Sequence, residues 1–168
     1  GPAYQKSRTL YGLSWAKEDI RKTGRAIVME GYLDVARSIE AGVVSAVAPC
    51  GTALTAQQAR LLKRLAPKAV LCFDGDDAGV KATKRSIEVF QDEKMDVRVV
   101  TLETGHDPDT FIREHGREPF LARVEAAGHE HHGHGDLGEA SPEQAPVARR
   151  HGEDTEGTRV EEALPEQV

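Results

Sequence analysis

The chain has 168 residues, 39% of them hydrophobic and 30% charged, with a formal net charge of −6. That is apolar material for one modest core and too little for two. The charge is uneven: residues 126–168 hold ten acids and three bases, so the other 18 acids and 19 bases leave residues 1–125 near +1. A basic face beside an acidic centre is compatible with that balance, although the overall sign argues against a basic coat.

Other classes fall away on residue patterns. Cys50 and Cys72 lie 22 apart with no CxxC spacing and no ligand-spaced histidines, which reads as two buried free thiols rather than a zinc site or a disulfide framework. No apolar run of about 18 residues and no secretory leader pattern is present, so neither membrane insertion nor export is expected and the cytosol is the default. No GxxxxGK[ST] loop occurs, which removes ATPase and helicase chemistry. The opening Gly1-Pro2 without an initiator Met reads as a chain cut from something longer.

In chain order, Leu10, Leu13, Ala16 and Ile20 recur at helical spacing, predicting an amphipathic helix over Leu10–Lys22 stopped by Gly24. Ala26–Glu30 is short, apolar and β-branched, followed by Gly31 and a helix over Asp34–Ala41. Ser45–Ala48 reads as the next strand, and Thr55 is placed to cap a helix over Thr55–Leu65 that ends at Pro67. Ala69–Phe73 forms a third strand before the turn Asp74-Gly75-Asp76-Asp77-Ala78-Gly79, a helix runs to about Gln91, and Val97–Leu102 is a fourth strand. Such alternation predicts an α/β fold, a roughly four-stranded parallel sheet flanked by helices. From residue 128 the sequence turns to HEHHGHG-like runs rich in Glu, Pro and Gly and poor in apolar residues, predicting a disordered acidic tail over 128–168. His129, His131, His132 and His134 sit there and read as low-complexity tail before transition-metal chelators.

Functional residues of a parallel sheet gather at the C-terminal ends of its strands. Glu30 ends the first strand, Asp74 and Asp76 follow the third, and Asp107 and Asp109 follow the fourth; Asp34 lies one helical turn beyond Glu30. Any one of these acids could simply cap a helix. Six together point to a hard divalent ion, because crowded carboxylates repel one another and oxygen-only ligands favour Mg²⁺, with Mn²⁺ as a substitute, over Zn²⁺. Lys6, Arg8, Lys81, Lys84 and Arg85 are candidate phosphate contacts; a solvated helix face is the other reading, preferred for Lys84.

The motifs Glu30-Gly31-Tyr32-Leu33-Asp34-Val35, Gly51-Thr52-Ala53-Leu54-Thr55, Phe73-Asp74-Gly75-Asp76 and Asp107-Pro108-Asp109 resemble, in order and spacing, the Toprim domain of DnaG-type bacterial DNA primases. Lys6, Arg8 and Leu10-Tyr11-Gly12-Leu13 resemble the segment preceding that domain in the primases, so the resemblance covers roughly residues 4 to 125. It departs at Ser7, where the family usually has Gly, and at Cys50, a commonly aliphatic position.

The resemblance implies a Toprim-like fold divided into the end of an N-terminal polymerase subdomain (1–24), the Toprim domain (25–106), the acidic DPD loop with a helical continuation (107–127) and the tail (128–168). It implies metal-dependent nucleotidyl transfer, with Glu30, Asp74 and Asp76 as catalytic acids and Asp34, Asp107 and Asp109 as further metal-associated acids. Lys6, Arg8, Lys81 and Arg85 would contact nucleotide or nucleic acid. The implied activity is that of a DNA-directed RNA polymerase making RNA primers from nucleoside triphosphates on a single-stranded DNA template in the bacterial cytoplasm. Contact with the replicative helicase would use a domain that this sequence does not contain, and priming by this chain alone is expected to need regions beyond it. A Toprim nuclease or topoisomerase, an aspartyl-phosphate phosphatase and a noncatalytic binding domain are the competing readings. Tyr4, Tyr11 and Tyr32 stand in no strand-transfer motif, and Ala78 occupies the place where the phosphatases carry Thr or Val.

Overall fold

Alternating short apolar runs and amphipathic stretches become strands and helices in the computed structural model, which describes residues 5–49 and 51–129. A 3-10 turn over Lys6–Arg8 leads into β1 (Leu10–Tyr11), α1 (Leu13–Thr23), β2 (Arg25–Met29), α2 (Tyr32–Glu40) and β3 (Ala46–Pro49). These are followed by α3 (Ala56–Lys63), β4 (Lys68–Cys72), α4 (Asp77–Asp92), β5 (Asp96–Val99), α5 (Pro108–His115), α6 (Arg117–Glu125) and β6 (Gly128–His129). The strand order is β1-β3-β2-β4-β5-β6. The inner four are parallel, as the alternation predicts, and β1 and β6 add short antiparallel edges that the sequence pattern does not reveal.

Helices cover both faces of the sheet. Because successive strand side chains point to opposite faces, Ala26 and Val28 of β2 join Ala16 and Ile20 of α1, Leu62 of α3 and Phe90 of α4 on one side. Ile27 and Met29 join Val35 of α2, Phe111 of α5 and Phe120 and Val124 of α6 on the other. Every residue of β2 is buried, which explains why it reads as a continuous apolar run and not as an alternation. Since α1 shares a core with β2, β3 and β4, no packing boundary falls at Gly24.

Two expectations fail locally. The helix expected from Leu10 starts at Leu13, because Gly12 adopts φ +83° and packs so closely that a Cβ there would lie 2.8 Å from Val35 Cγ1 and 2.9 Å from the Ala46 carbonyl oxygen. The chain turns at that glycine, and Leu10 and Tyr11 pair with Pro49 and Ala48 of β3. The disordered tail expected from residue 128 fails at its first two residues: Gly128 and His129 pair with Val99 and Arg98 of β5. Residues 130–168, with His131, His132 and His134, lie outside the described residues, as do Tyr4 and Cys50.

The expected stop and cap are present. Gly24, at φ +74°, ends α1 and donates its N–H to the Ile20 carbonyl. Thr55 caps α3 by accepting the Gln58 N–H at 3.1 Å, while Gln58 Oε1 accepts the Thr55 N–H at 3.0 Å, a reciprocal pair that satisfies two amides left open at the helix start. Among the described residues no helix is long and apolar enough to cross a membrane.

Cys72 is fully buried at the end of β4, and burial pushes its thiol pKa far above the ordinary cysteine range, with the nearby Asp34, Asp74 and Asp107 adding to the effect. Only a thiolate reacts readily. Iodoacetamide should therefore leave Cys72 unmodified in the native chain and alkylate it in urea, as peptide mapping by mass spectrometry can read; rapid native labelling would contradict this burial.

Candidate metal centre

Three neighbouring parallel strands deliver the acids to one edge. β2 and β4 run in register with Met29 opposite Cys72, and β4 and β5 with Leu71 opposite Val99, so the loops after all three leave from the same side. Glu30 and Asp34 come from the β2–α2 connection, Asp74 and Asp76 from β4–α4, and Asp107 and Asp109 from β5–α5. Carboxylate oxygens of Asp34, Asp74 and Asp107 lie within 4.8 Å of one another.

The six acids divide by what else holds them. Asp76 Oδ1 accepts the Gly79 N–H at 2.7 Å and Asp107 Oδ1 the Thr110 N–H at 2.7 Å, so each is also an N-cap, of α4 and α5. Asp34 Oδ2 accepts the Gly31 N–H at 3.3 Å. Asp109 is drawn aside by two cations: Arg37 Nη1 at 2.8 Å, and Arg113, one turn along the same helix. Glu30 Oε2 and Asp74 Oδ1 are buried without a hydrogen-bond partner among the described residues. The capping interpretation is thus satisfied at Asp76 and Asp107 and leaves Glu30 and Asp74 unexplained.

Electrostatics gives the same division. Burial raises the Glu30 carboxyl pKa above its ordinary range, and repulsion from Asp74, Asp76 and Asp34 adds to it. Asp74 is raised by burial and then by Asp107 and Asp76, and Asp34 by burial and then by Asp74, Asp107 and Asp109. At Asp107 burial pushes upward as well, but the Thr110 N–H and hydroxyl and the Arg113 charge outweigh it and hold this carboxyl below the ordinary range. Buried oxygens without donors, beside like charges, are in the state that a hard cation relieves. The donor set therefore fits a divalent metal ion, with Asp34, Asp74 and Asp107 grouped most tightly and Glu30 facing Asp74.

A pocket of about 400 Å³ opens beside Glu30, bounded by Pro49 and the Gly51–Leu54 loop, with Phe73, Ser86 and Arg85 across it. Arg85 of α4 lines this pocket together with Glu30; Lys81 and Lys84, exposed like Arg85 on the same helix, do not line it. Lys6 and Arg8 sit elsewhere, on the 3-10 turn that packs against α3.

A family model described as Toprim-like matches residues 27–112, about half of the chain. The chain belongs to the Toprim-like family. Its Toprim domain is of the DnaG primase type. A DNA primase from Halalkalibacterium halodurans is 44% identical over 123 residues, covering 73% of this chain and 20% of that protein. The crystal structure of the zinc-binding and RNA polymerase domains of the Aquifex aeolicus primase matches with a TM-score of 0.74 at 41% identity, over 77% of this chain and 32% of that one. A DnaG primase catalytic domain bound to single-stranded DNA matches with a TM-score of 0.69 at 38% identity, over 76% of this chain and 42% of that one. This Toprim domain thus belongs to a chain spanning about a fifth of the length of the curated primase that it matches.

Two long-range partnerships, one at this site and one on α3, escape a linear reading. Arg37 and Asp109 are 72 positions apart, so only the fold brings them together. Gln58 could have been found, because Thr55-x-x-Gln58 is a capping-box spacing. Its amide also reaches Lys6 and Thr9, which no local pattern encodes.

Proposed function

We propose that this chain is the metal-dependent catalytic domain of a DNA primase, joining nucleoside triphosphates into a short RNA primer along a single-stranded DNA template. The observation that carries the reading is the convergence of carboxylates from three adjacent strands, with buried oxygens of Glu30 and Asp74 left without donors. The primase names of its relatives and the single-stranded DNA bound by one structural neighbour support it. The ion is Mg²⁺, with Mn²⁺ as a substitute, because the centre offers only carboxylate oxygens. Glu30, Asp34, Asp74, Asp76, Asp107 and Asp109 form its acidic surround, and Glu30, Asp74 and Asp76 carry the chemistry. A bound divalent ion would activate the primer 3′ hydroxyl and offset the charge developing on pyrophosphate. Arg85, across the pocket from Glu30, is placed to receive triphosphate oxygens, and Lys81 lies one helical turn before it. Arg37 and Arg113 keep Asp109, and with it the DPD loop, against the site. Contact with the replicative helicase is assigned to parts of the longer protein outside this chain.

Calorimetric titration with Mn²⁺ tests the assignment. Binding should be lost when Asp74 and Asp76 are both changed to Asn, and should persist when residues 128–168 are removed. Binding that survives the double substitution but not the truncation would move the metal to the histidines of the tail. Metal-dependent nicking of supercoiled DNA by the intact chain would instead favour a Toprim nuclease.

A further inference from the structure

A second, oppositely charged concavity lies on α3, away from the acids. A pocket of about 280 Å³ is lined by Arg8, Gln57, Arg60, Leu61 and Arg64, with no carboxylate among the lining residues. Arg8 donates from Nε to Gln57 Oε1 at 3.3 Å and makes no ion pair among the described residues; the Arg64 side chain has no partner among them either. Arg60 spends only Nε, on Glu93 at 2.9 Å. The terminal guanidinium nitrogens of three arginines are therefore available around one hollow, although like charges repel and a merely solvated surface has no reason to gather them.

The gathering is enforced from below. Gln58 is fully buried, and its Nε2 donates to the carbonyl oxygens of Lys6 at 3.1 Å and Thr9 at 2.8 Å. The Thr55 hydroxyl donates to the Ser7 carbonyl at 2.6 Å. Every residue from Lys6 to Thr9 except Arg8 thus has its carbonyl fastened to the start of α3, which fixes the backbone that carries Arg8 relative to Arg60 and Arg64. Donors fixed before a ligand arrives lose little entropy on binding it.

From this arrangement we infer that the Arg8–Arg60–Arg64 pocket holds the phosphodiester backbone of a nucleic-acid strand, and that Gln58 is the positioning residue that assembles it. Guanidinium groups suit phosphate oxygens through paired N–H donors. A free nucleoside triphosphate normally travels with a divalent ion, and this pocket offers that ion no acid, whereas a backbone phosphate needs none. The choice of a nucleic-acid strand rests on the primase reading; the pocket itself rests on its own geometry.

Fluorescence anisotropy with a labelled oligodeoxythymidine, in EDTA so that the acidic centre is silent, tests this on the full chain. Arg8→Gln with Arg64→Gln should weaken binding about tenfold at low salt and lower the slope of log affinity against log salt by about 0.7 for each phosphate that the pocket no longer neutralises. Gln58→Leu, which leaves every arginine in place, should weaken binding in the same direction, with Gln58→Glu as a check that volume alone is not responsible. Unchanged affinity and slope in the arginine variant would overturn the proposal, as would no oligonucleotide binding by the parent chain. Displacement of the oligonucleotide by ATP from the parent but not from the arginine variant would also overturn it, in favour of a nucleotide site. The catalytic reading fails separately: Mn²⁺ binding that survives Asp74→Asn removes the metal centre and leaves strand binding in EDTA, and therefore this pocket, untouched.

Discussion

Gly79→Ala should destabilise the chain by about 3 kcal/mol and weaken Mn²⁺ binding at least tenfold, although helix propensity alone would make the same change stabilising by about 1 kcal/mol. Gly79 lies in the first turn of α4, and a Cβ there would stand 1.9 Å from the Asp74 carbonyl oxygen and 2.7 Å from its carbon. These are backbone atoms, so no rotamer change relieves the overlap. Either α4 moves away from the end of β4 or the Asp74–Asp76 loop shifts, and in both cases the Asp74 carboxylate leaves its place beside Asp34 and Asp107. The Gly79 N–H also holds Asp76 Oδ1, so the cap is disturbed along with the loop. Urea denaturation and Mn²⁺ calorimetry on the variant read the two effects. A variant as stable as the parent would mean that the loop yields freely and that the close approach is incidental.

Asp74→Asn should do the opposite to the metal-free protein and stabilise it. Two carboxylates with oxygens within 4.8 Å repel by between about 1 and 3 kcal/mol, depending on how far solvent screens them. Asn keeps the shape and removes one charge. With Mn²⁺ at a hundred times its dissociation constant the parent should gain about 2.7 kcal/mol and the variant almost nothing, so the variant's advantage falls by about that amount when metal is added. The pH dependence follows from the same repulsion. Glu30, Asp34 and Asp74 have folded pKa values raised above the unfolded ones, so the folded chain holds protons more tightly in that window. Their contribution to metal-free stability is thus greatest below the ordinary carboxylate range and declines as pH rises through the raised values. Thermal melts in EDTA across that range should show the decline in the parent and a smaller one in the variant. Equal melting curves in EDTA, or equal gains with Mn²⁺, would remove Asp74 from the centre.

The parallel core could be read in the sequence because β2, β3, β4 and β5 are short apolar runs bounded by turn residues, and because helical spacing between them implies crossovers. Its antiparallel edges could not. Leu10 fits the helical spacing of Leu13, Ala16 and Ile20, and only the contact of Gly12 with Val35 and Ala46 shows that the chain must turn there. Gly128 and His129 have no pattern of their own and become a strand through the offer of β5. The acids were legible as a set, since their places after successive strands follow from topology. What each acid is fastened to was legible only where the contact is local, as in the cap made by Asp107 or the pair of Asp109 with Arg113; the Arg37 contact to Asp109 depends on how α2 and α5 pack. The sequence favours Arg85 as a phosphate contact and Lys84 as solvated; both side chains are exposed, and of the two it is Arg85 that lines the pocket at Glu30.

The brevity of β1 and β6 bears on how this protein behaves at high concentration. Exposed strand margins are templates on which other chains can add, and long flat margins are the ones that aggregate. Here β1 covers the outer side of β3 at Ala48 and Pro49 and β6 covers that of β5 at Arg98 and Val99, and each outer strand offers only a two-residue length of backbone for a stranger to pair with. Displacing Gly128 and His129 would uncover the side of β5. Solubility of this α/β core is therefore guarded by its least conspicuous elements, and a shortened version ending at residue 127 is the one to watch for slow self-association by light scattering.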